Sequence, residues 1–500
     1  MEDWERNLDT TDIAELRAQL ESGAVTAHSL AEACFRRIDA LDDQVNAIIE
    51  RNPAALEIAD ERDIERQGGT VCGPLHGVPI LIKDNIDTGD RMATTAGSLA
   101  LNGSRARADA FVVERLRKAG LVILGKTNLS EWANFRSARS SSGWSSRGGQ
   151  TRNPYAFDRS PGGSSSGSGA AVASGFAPLA IGTETDGSIV SPSAMNGIVG
   201  VKPTVGLVSR TGIIPISHVQ DTAGPMAKNV ADAAALLSAM AGPDEEDPAT
   251  ELADGHAVDY TECLDPDGLR GTRIGVARDY CGFHDGVDGI FAEALDTLRA
   301  QGAKIVEDVT LPTREQIRPS ERLAMLFEFK AGLNAYLERR SEETPVHSLR
   351  DIIAFNKAYA DTVMPHFPQD ILEQAEATGT LDDSDYIAAR TEARRLTALE
   401  GIDAAMRTQK LDAIAAPTAS APWRIDWING DNRKGGSSAP AAVAGYPSIT
   451  VPAGYLHGLP VGLSLFAGAY HEPALIRMAY AFERATAVRH PPALADKTAD

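Results

Sequence analysis

The sequence predicts an α/β fold in which a central, largely buried sheet is covered by helices. A continuous apolar run that ends in charge, "GVPILIKDNID", is typical of a buried strand. The segment "DAFVVERLRKAGLVILGKTN" indicates a helix, a stop at Gly120 and a second buried strand. Residues 272–311 repeat this strand–helix–strand order in "TRIGVARD", "GIFAEALDTLRAQG" and "AKIVEDVTL". Such alternation is characteristic of α/β proteins.

The rest of the chain favours one large domain. Residues 11–40 read as two helices, the first capped by Thr11 or Asp12. Residues 321–410 are mostly helical by pattern and predict an inserted or covering layer. The acidic, turn-rich segment 242–270 is either an interdomain linker or an excursion within one domain, and the similar units on both sides favour the excursion.

We therefore predict a single domain over residues 1–500. It has an N-terminal helical arm over residues 1–60 and a core over residues 61–480.

Composition excludes several classes of function. The net charge of −21 argues against binding nucleic acid or an anionic membrane, because both would repel the chain. Four scattered cysteines and ten histidines without a close pair show neither a disulfide scaffold nor a metal site. We expect no metal and no cofactor.

The N-terminus, "MEDWERNLDTTDIAELRAQL", has no signal-peptide pattern, and no apolar run approaches the ~18 residues of a membrane span. We predict a cytoplasmic monomer or homodimer that acts on a small molecule or short peptide.

A Gly/Ser-rich stretch over residues 161–175, "PGGSSSGSGAAVASG", raises the question of function. One interpretation is a flexible linker, but the stretch continues directly into small residues that suit a tightly packed helix. A second is a nucleophile elbow of G-x-S-x-G type, which requires a preceding strand and a marked histidine. The preceding "RNPYAFDRSPGG" has two prolines and no strand pattern. A third interpretation is that one serine works with a base other than histidine.

Lys83 is the candidate for that base. It ends the apolar run "VPILIK" and is followed by Asp84 and Asn85. A lysine at the end of a strand is more often solvated than catalytic. If this strand end is buried, however, desolvation lowers the lysine pKa from about 10.4 towards neutrality. A neutral lysine can accept a proton from a serine hydroxyl.

Several segments together resemble the amidase signature family, and the resemblance covers most of the chain. They are "GPLHGVPILIKDNID", "GKTNLSEWANF", "PGGSSSGSGAAVASG", "GTETDGSIVSPSAMNGIVGVKPTVGLVSRTGIIPIS" and "AAVAGYPSITVPAG". Within the family the chain is most similar to peptide amidases, through "SEWANF", "GGQTRNPY" and "GTETDGSI". The resemblance implies the family's fold, a central mixed sheet covered by helices.

The resemblance also implies a Ser–cis-Ser–Lys triad. The family's lysine falls on Lys83, and its bridging serine falls on Ser164 after a cis peptide bond from Gly163. Its nucleophile falls on Ser188 of "DGSIV". The lysine takes a proton from the bridging serine, which takes one from the nucleophile, because a hydroxyl can both donate and accept.

Two further roles follow from the same resemblance. The backbone N–H groups of Thr185, Asp186, Gly187 and Ser188 are expected to form the oxyanion hole. Ser165 is expected to hydrogen-bond Lys83 or the loop, with a purely structural turn serine as the alternative.

The sequence departs from the family pattern at two places. The usual D-T-G-G-S-I-R is "ETDGSIV" here, with Glu184, Asp186 and Val190 at the changed positions. Loss of the acid–arginine pairing suggests another means of holding this loop. In "GSSSGS", Ser166 stands where glycine is usual, and we do not expect it to touch substrate.

These residues predict an amide hydrolase that cleaves the C-terminal carboxamide of peptides through an acyl-enzyme. Hydrolysis of aryl acylamides, carbamates or simple carboxamides is an alternative, as is the glutamine-hydrolysing component of a tRNA amidotransferase. From the acidic residues near the loop, Glu184 and Asp186, we expect a neutral substrate end to be favoured over a carboxylate.

Overall fold

The computed structural model describes residues 7–340 and 344–494, and its strands form one large mixed sheet. In these residues the sheet order is β1-β3-β2-β6-β8-β7-β12-β13-β11-β9-β10, and β4 and β5 form a separate hairpin. The strands are β1 (Ile48–Arg51), β2 (Pro79–Lys83), β3 (Val122–Thr127), β4 (Trp144–Ser145), β5 (Gly149–Gln150), β6 (Leu179–Glu184), β7 (Val199–Lys202), β8 (Thr222–Ala227), β9 (Arg273–Ala277), β10 (Lys304–Val309), β11 (Ala413–Pro417), β12 (Ser448–Leu456) and β13 (Leu459–Phe466).

Helices flank this sheet, so the predicted α/β fold with a central mixed sheet is confirmed. They are α1 (Ile13–Ser22), α2 (Ala27–Val45), α3 (Ala55–Gln67), α4 (Phe111–Lys118), α5 (Ser166–Ala173), α6 (Val190–Met195), α7 (Val230–Met240), α8 (Asp285–Ala300), α9 (Arg314–Glu338), α10 (Leu349–Ala358), α11 (Ala360–Val363), α12 (Asp370–Glu376), α13 (Ser384–Arg394), α14 (Asp403–Gln409), α15 (Ala439–Ala444) and α16 (Glu472–Thr486). A π-helical segment, Arg395–Ile402, joins α13 to α14.

Strand β2 lies inside the sheet, where it pairs in parallel with β3 on one side and β6 on the other. All five of its residues are buried, as its unbroken apolar run predicts. Because β2 and β6 are parallel, their carboxyl ends meet at the same edge of the sheet. Polar side chains that follow these two strands are therefore brought together.

Helix α5 lies inside the Gly/Ser-rich stretch 161–175, and the small residues that follow, which were expected to be helical, lead into strand β6 instead. Every residue of α5 is buried. A Cβ atom at Gly167 would lie 2.4 Å from the carbonyl oxygens of Ala47 and Asn128, so only glycine lets the helix approach this closely. The tight packing fixes the position of the serines that precede α5.

The N-terminal region contains the predicted helices α1 and α2. Asp12 caps α1 by accepting a hydrogen bond from the Glu15 N–H. The same region also contains β1, which pairs antiparallel with β3 at the edge of the sheet. The arm over residues 1–60 thus contributes a strand to the sheet, and its boundary at residue 60 stays a prediction.

Residues 242–270 pack against the main core. This segment forms 3₁₀ turns at Pro248–Gly255 and Tyr260–Cys263, and the Tyr260 side chain is fully buried. The Tyr260 N–H donates to Ser238 Oγ on α7 at 2.9 Å. Such packing agrees with the expected excursion within one domain. Among the described helices, none has the length and apolar character that a bilayer crossing requires.

Candidate active site

Lys83 lies at the carboxyl end of β2 and is fully buried. Its Nζ lies 2.7 Å from Ser164 Oγ, 3.0 Å from Ser165 Oγ and 2.8 Å from Thr183 Oγ1. Burial lowers the Lys83 pKa to about 7, although the carboxylates of Glu184 and Asp221 act in the opposite direction. Near neutral pH a large fraction of this lysine is therefore a free amine.

Ser164 is positioned by the turn that leads into α5. Its peptide bond to Gly163 is cis, which is the geometry that the family resemblance implies. A Cβ atom at Gly163 would lie 2.4 Å from Ser130 Oγ, so the position requires glycine. Ser164 is fully buried and its Oγ lies within hydrogen-bond distance of Lys83 Nζ.

Ser188 lies in the loop between β6 and α6 and is slightly exposed. Its carbonyl oxygen accepts a hydrogen bond from the Ser165 N–H at 3.2 Å, which joins the nucleophile loop to the Gly/Ser-rich turn. Among the described residues, no hydrogen bond joins the Ser188 and Ser164 hydroxyls. The structure thus brings Lys83 and Ser164 into contact and places Ser188 in the adjoining loop.

The loop around Ser188 is held by Glu184. The two carboxylate oxygens accept hydrogen bonds from the N–H groups of Gly187 (2.8 Å), Ile189 (2.8 Å) and Val190 (3.0 Å). Buried Lys202 provides a nearby positive charge for this buried carboxylate. The sequence predicted that something other than an arginine at position 190 must hold this loop. Glu184 does so through these three hydrogen bonds.

This arrangement changes the expectation for the oxyanion hole. The Gly187 N–H points at Glu184, so in this structure it is not free to bind an oxyanion, in contrast to the prediction. The N–H groups of Thr185, Asp186 and Ser188 have no hydrogen-bond acceptor within the described part of the chain. They are the backbone donors that remain available to a developing negative charge.

Asp221, the residue immediately before β8, contacts the same loop. Its carboxylate accepts hydrogen bonds from Thr185 Oγ1 at 2.6 Å and from the N–H groups of Ile216 and Ser217. Burial raises the Asp221 pKa to about 6, so the group is mostly ionised at pH 7. Asp221 and Glu184 are the carboxylates that oppose the loss of the Lys83 charge.

The supporting residues Ser165 and Ser166 have separate contacts. Ser165 Oγ contacts Lys83 Nζ and donates to the Thr183 carbonyl at 3.1 Å. Ser166 Oγ donates to the Gly162 carbonyl at 2.6 Å and is fully buried.

Sequence reasoning missed Thr183. Its hydroxyl contacts Lys83 Nζ and accepts from Asn85 Nδ2 at 3.0 Å, and its carbonyl oxygen lies 3.2 Å from Lys83 Nζ. No sign of this contact was visible in the sequence, because the segment before Thr183 was expected to be helical and forms β6 in the structure. Only the parallel pairing of β2 with β6 shows that Thr183 reaches the lysine.

Ser188 opens into a cavity of about 350 Å³. One wall comes from the segment around Asn134, another from α9, and a third from the loop before α15. The lining residues are Ala133, Asn134, Phe135, Ser137, Ala138, Ser140, Thr185, Asp186, Ser188, Ile216, Arg314, Arg318, Glu321, Arg322, Met325, Ile371, Asn429, Asp431 and Arg433.

The charge of this cavity does not come from the loop alone. Glu184 is engaged inside the loop and does not line the cavity, whereas Asp186 does. Four arginines line it, from α9 and from the loop before α15. The helical layer thus adds guanidinium groups that the loop sequence does not reveal, and the expected preference for a neutral substrate end stays a prediction.

One group of side chains has the residue types of a metal site. The ligand atoms of Glu65, Cys72 and His76 lie within 4.8 Å of one another, apart from the cavity. Both ring nitrogens of His76 already have partners, the Cys72 N–H at 3.3 Å and the Arg62 carbonyl at 2.9 Å. The group therefore lacks a free imidazole ligand, and it carries no assignment.

The fold and this site match known proteins over nearly the whole chain. Residues 29–476 match the Amidase family. A crystal structure of a peptide amidase in complex with the competitive inhibitor chymostatin has a TM-score of 0.94 and 54% identity, covering 97% of this chain and 99% of that one. A probable amidase of Arabidopsis thaliana is 40% identical over 492 residues, covering 96% of this chain and 91% of its own.

A more distant relative belongs to a different kind of enzyme. This relative, a glutamyl-tRNA(Gln) amidotransferase subunit of Chloroflexus aurantiacus, is 37% identical over 491 residues, covering 95% of this chain and 96% of its own.

The chain belongs to the amidase signature family. It is an amidase, a hydrolase, and its structure strongly resembles that of peptide amidases.

Proposed function

We propose that this chain hydrolyses the C-terminal carboxamide of short peptides to a carboxylate and ammonia. The observation that carries the proposal is the buried Lys83 amine, with a pKa of about 7, in contact with Ser164 beside a cavity lined by Ser188. The likeness to a peptide amidase that binds chymostatin supports a peptide or small amide as substrate.

The proposed reaction begins with attack of Ser188 Oγ on the carboxamide carbon. Ser164 accepts the Ser188 proton and passes its own proton to the neutral Lys83. The N–H groups of Thr185, Asp186 and Ser188 face the developing oxyanion. The relay then runs backwards and protonates the departing nitrogen, and ammonia leaves an acyl-enzyme.

Water completes the cycle by the same relay. It attacks the acyl-enzyme carbonyl, and its proton returns through Ser164 while Ser188 is released as a hydroxyl. The product is the peptide acid.

Unpartnered acceptors in the cavity favour an amide substrate. Asn134 Oδ1 and Asp186 Oδ1 are buried and have no hydrogen-bond partner in the described chain. Both side chains line the cavity with Ser188. An unpaired buried acceptor is costly, and the N–H groups of a carboxamide or of a peptide are the donors that would satisfy it.

Two alternatives use the same triad. Aryl acylamides, carbamates and simple carboxamides differ from peptide amides only in what the cavity must hold. Glutamine hydrolysis within an amidotransferase is the second alternative, supported by the Chloroflexus relative and opposed by the "GTETDGSI" loop. The cytoplasmic location and the monomeric or homodimeric state stay predictions from the sequence.

The test is ammonia release by the purified chain from a dipeptide amide, an anilide, a carbamate and glutamine. We expect the dipeptide amide to react fastest and EDTA to leave its rate unchanged, since the relay uses no metal. Ser188→Ala should abolish hydrolysis, and a serine-directed phosphonate should label Ser188.

Ser140→Ala provides the matched control, because Ser140 lines the same cavity but lies outside the proposed triad. It should keep most of the activity. Labelling of Ser164 in place of Ser188 would overturn the assignment of the nucleophile. Reaction of anilides or carbamates alone would overturn the peptide amide as substrate while leaving the triad in place.

A further inference from the structure

The arginines of the active-site cavity are arranged in an unusual way. Arg314, Arg318 and Arg322 follow one another at intervals of four residues along α9, so they share one face of that helix. Arg433 reaches the same cavity from the loop before α15. Four guanidinium groups thus converge on the space in front of Ser188.

Three of these arginines have no partner within the described part of the protein. The side chains of Arg314, Arg318 and Arg433 make neither an ion pair nor a hydrogen bond there, whereas Arg322 donates to Gln374 Oε1 at 3.0 Å. Most other cavity and core arginines are paired, such as Arg136 with Glu131 at 3.0 Å. Guanidinium groups without an acceptor are the feature that requires an explanation.

The carboxyl groups of the cavity offset these arginines only in part. Asp431 accepts hydrogen bonds from the N–H and hydroxyl of Ser142 and from Trp423 Nε1, and its carboxylate also acts on Arg433. Glu321 accepts from Gln220 Nε2 at 3.2 Å, and burial raises its pKa to about 8, so it is mostly uncharged at pH 7. Among the described carboxyl groups of the cavity, Asp186 alone stays free, and the cavity carries an excess of positive charge.

The arginines also act on one another. Burial lowers the pKa of Arg433, the neighbouring charges of Arg314 and Arg318 lower it further, and the carboxylates of Asp186 and Asp431 act in the opposite direction. An anion bound between these groups would relieve that repulsion. Because the whole chain carries a charge of −21, a local excess of positive charge is needed before the cavity can accept an anion.

We propose that the cavity selects peptide amides that carry an aspartate or glutamate side chain in one of their last two residues, with Arg314, Arg318 and Arg433 holding that carboxylate. This inference rests on the proposed function, since it names the class of peptide amide. Arginine suits the role because its planar donors match a carboxylate. A cavity of about 350 Å³ accommodates an amide-bearing residue and a neighbouring side chain.

The test compares three matched substrates, N-acetyl-Ala-Glu-NH2, N-acetyl-Ala-Gln-NH2 and N-acetyl-Ala-Lys-NH2, with the peptide acids separated by chromatography. We expect kcat/KM to be about 10- to 100-fold higher for the glutamate than for the glutamine substrate, as for a hydrogen bond to a charged group. The lysine substrate should be the poorest. Added salt should reduce the preference.

Variants assign the preference to these arginines. Arg433→Gln and Arg318→Gln should each bring the Glu/Gln ratio closer to one, and Arg433→Lys should restore part of it. Arg270→Gln is the control, because Arg270 is an exposed arginine paired with Asp267 outside the cavity. Its ratio should equal that of the wild type. Arg318 lies at an exposed position, so its variant tests the proposal even if Arg433→Gln fails to fold.

The outcomes separate this inference from the proposed function. Equal rates for the glutamate and glutamine substrates, or equal losses for both in the variants, would overturn it and assign the guanidinium groups to peptide carbonyls. Failure of every peptide amide to react would overturn the proposed function instead. In that case, calorimetric binding of the same peptides to Ser188→Ala tests the charge preference by itself, and equal affinities would reject it.

Discussion

Two neighbouring parallel strands each carry a lysine near the carboxyl end, one register position apart, and the two lysines have different surroundings. Lys83 ends β2 and Lys126 lies at the end of β3, which pairs with it in parallel. Both follow an apolar run, and both side chains are fully buried. In the sequence, "ILIKDN" and "VILGKTN" look alike, so the difference between the two lysines comes from what the fold places around each.

The polar atoms around Lys83 Nζ are three hydroxyl groups and the Thr183 carbonyl. Ser164, Ser165 and Thr183 contact its Nζ, and the nearest carboxylates act on it without direct contact. Hydroxyls can donate as well as accept, so they satisfy either protonation state of the amine. This lysine can gain and lose a proton within a fixed geometry.

The surroundings of Lys126 contain acidic groups and a carbonyl. Its Nζ donates to the Ile86 carbonyl at 2.5 Å and to Thr94 Oγ1 at 3.1 Å. Burial lowers its pKa, while the carboxylates of Asp84 and Asp87 act to raise it. Four carboxylates act on Lys126, against two on Lys83, so this site favours an amine that keeps its protons more strongly. Burial alone therefore does not make a catalytic lysine.

The largest expected effect is the loss of activity in Lys83→Ala. Removing the base should lower kcat about 10²- to 10⁴-fold, the range of general acid–base contributions. Ser164→Ala should cost less, because water can partly replace the relay hydroxyl. Steady-state kinetics on a dipeptide amide measures both, with circular dichroism to confirm folding. Wild-type rates for Lys83→Ala at pH 7 would remove it from the mechanism.

The two lysines also separate what the sequence predicts from what depends on the fold. Apolar runs and their charged ends predicted β2, β3 and the alternation of strands and helices, because these signals are local. The assignment of Lys83 in place of Lys126 depended on the family motif around it. The role of Thr183 and the engagement of the Gly187 N–H by Glu184 depend on contacts between strand ends and loops.

The sequence could not predict that these arginines line the cavity, for a different reason. Arg314 and Arg318 are more than 120 positions from Ser188 and lie just before residues 321–410, the region predicted as a helical layer. Only the packing of α9 against the helices α12, α13 and α15 brings that face to the cavity that Ser188 lines. Charged residues on helices are usually solvated, so their spacing alone carries no sign of a substrate site.

The second largest expected effect is a loss of stability in Lys126→Met. The substitution leaves the Thr94 hydroxyl without its donor, leaves the Ile86 carbonyl with only the Thr94 hydroxyl at 3.4 Å, and removes a positive charge near Asp84. We expect the free energy of unfolding to fall by about 3 kcal/mol. Urea unfolding followed by circular dichroism measures it. Molecules that remain folded should keep most of their turnover, and a loss of activity as large as that of Lys83→Ala would contradict the division of roles.

The third prediction is the pH dependence of activity. The working form of Lys83 is the free amine, and burial lowers its pKa to about 7. As pH falls below 7, the amine becomes protonated and kcat/KM should drop about tenfold for each pH unit. Above pH 8 this group should no longer limit the rate. A rate that rises from pH 7 to pH 5 would show that the free amine is not the base.

The smallest expected effect is a shift of that pH profile in Glu184→Gln. The Glu184 carboxylate favours the charged form of Lys83 and so raises its pKa against the effect of burial. Its neutral replacement should lower the Lys83 pKa, so the acid limb of the kcat/KM profile should lie at lower pH than in the wild type. The maximal rate should also fall, because the amide of glutamine offers one acceptor oxygen to three N–H groups of the loop.

The control is Asp232→Asn, a buried carboxyl on α7 that accepts from the Ile13 N–H and does not act on Lys83. Its profile should coincide with that of the wild type. If Glu184→Gln lowers the rate without moving the profile, Glu184 is uncharged in the folded enzyme and acts on the nucleophile loop alone.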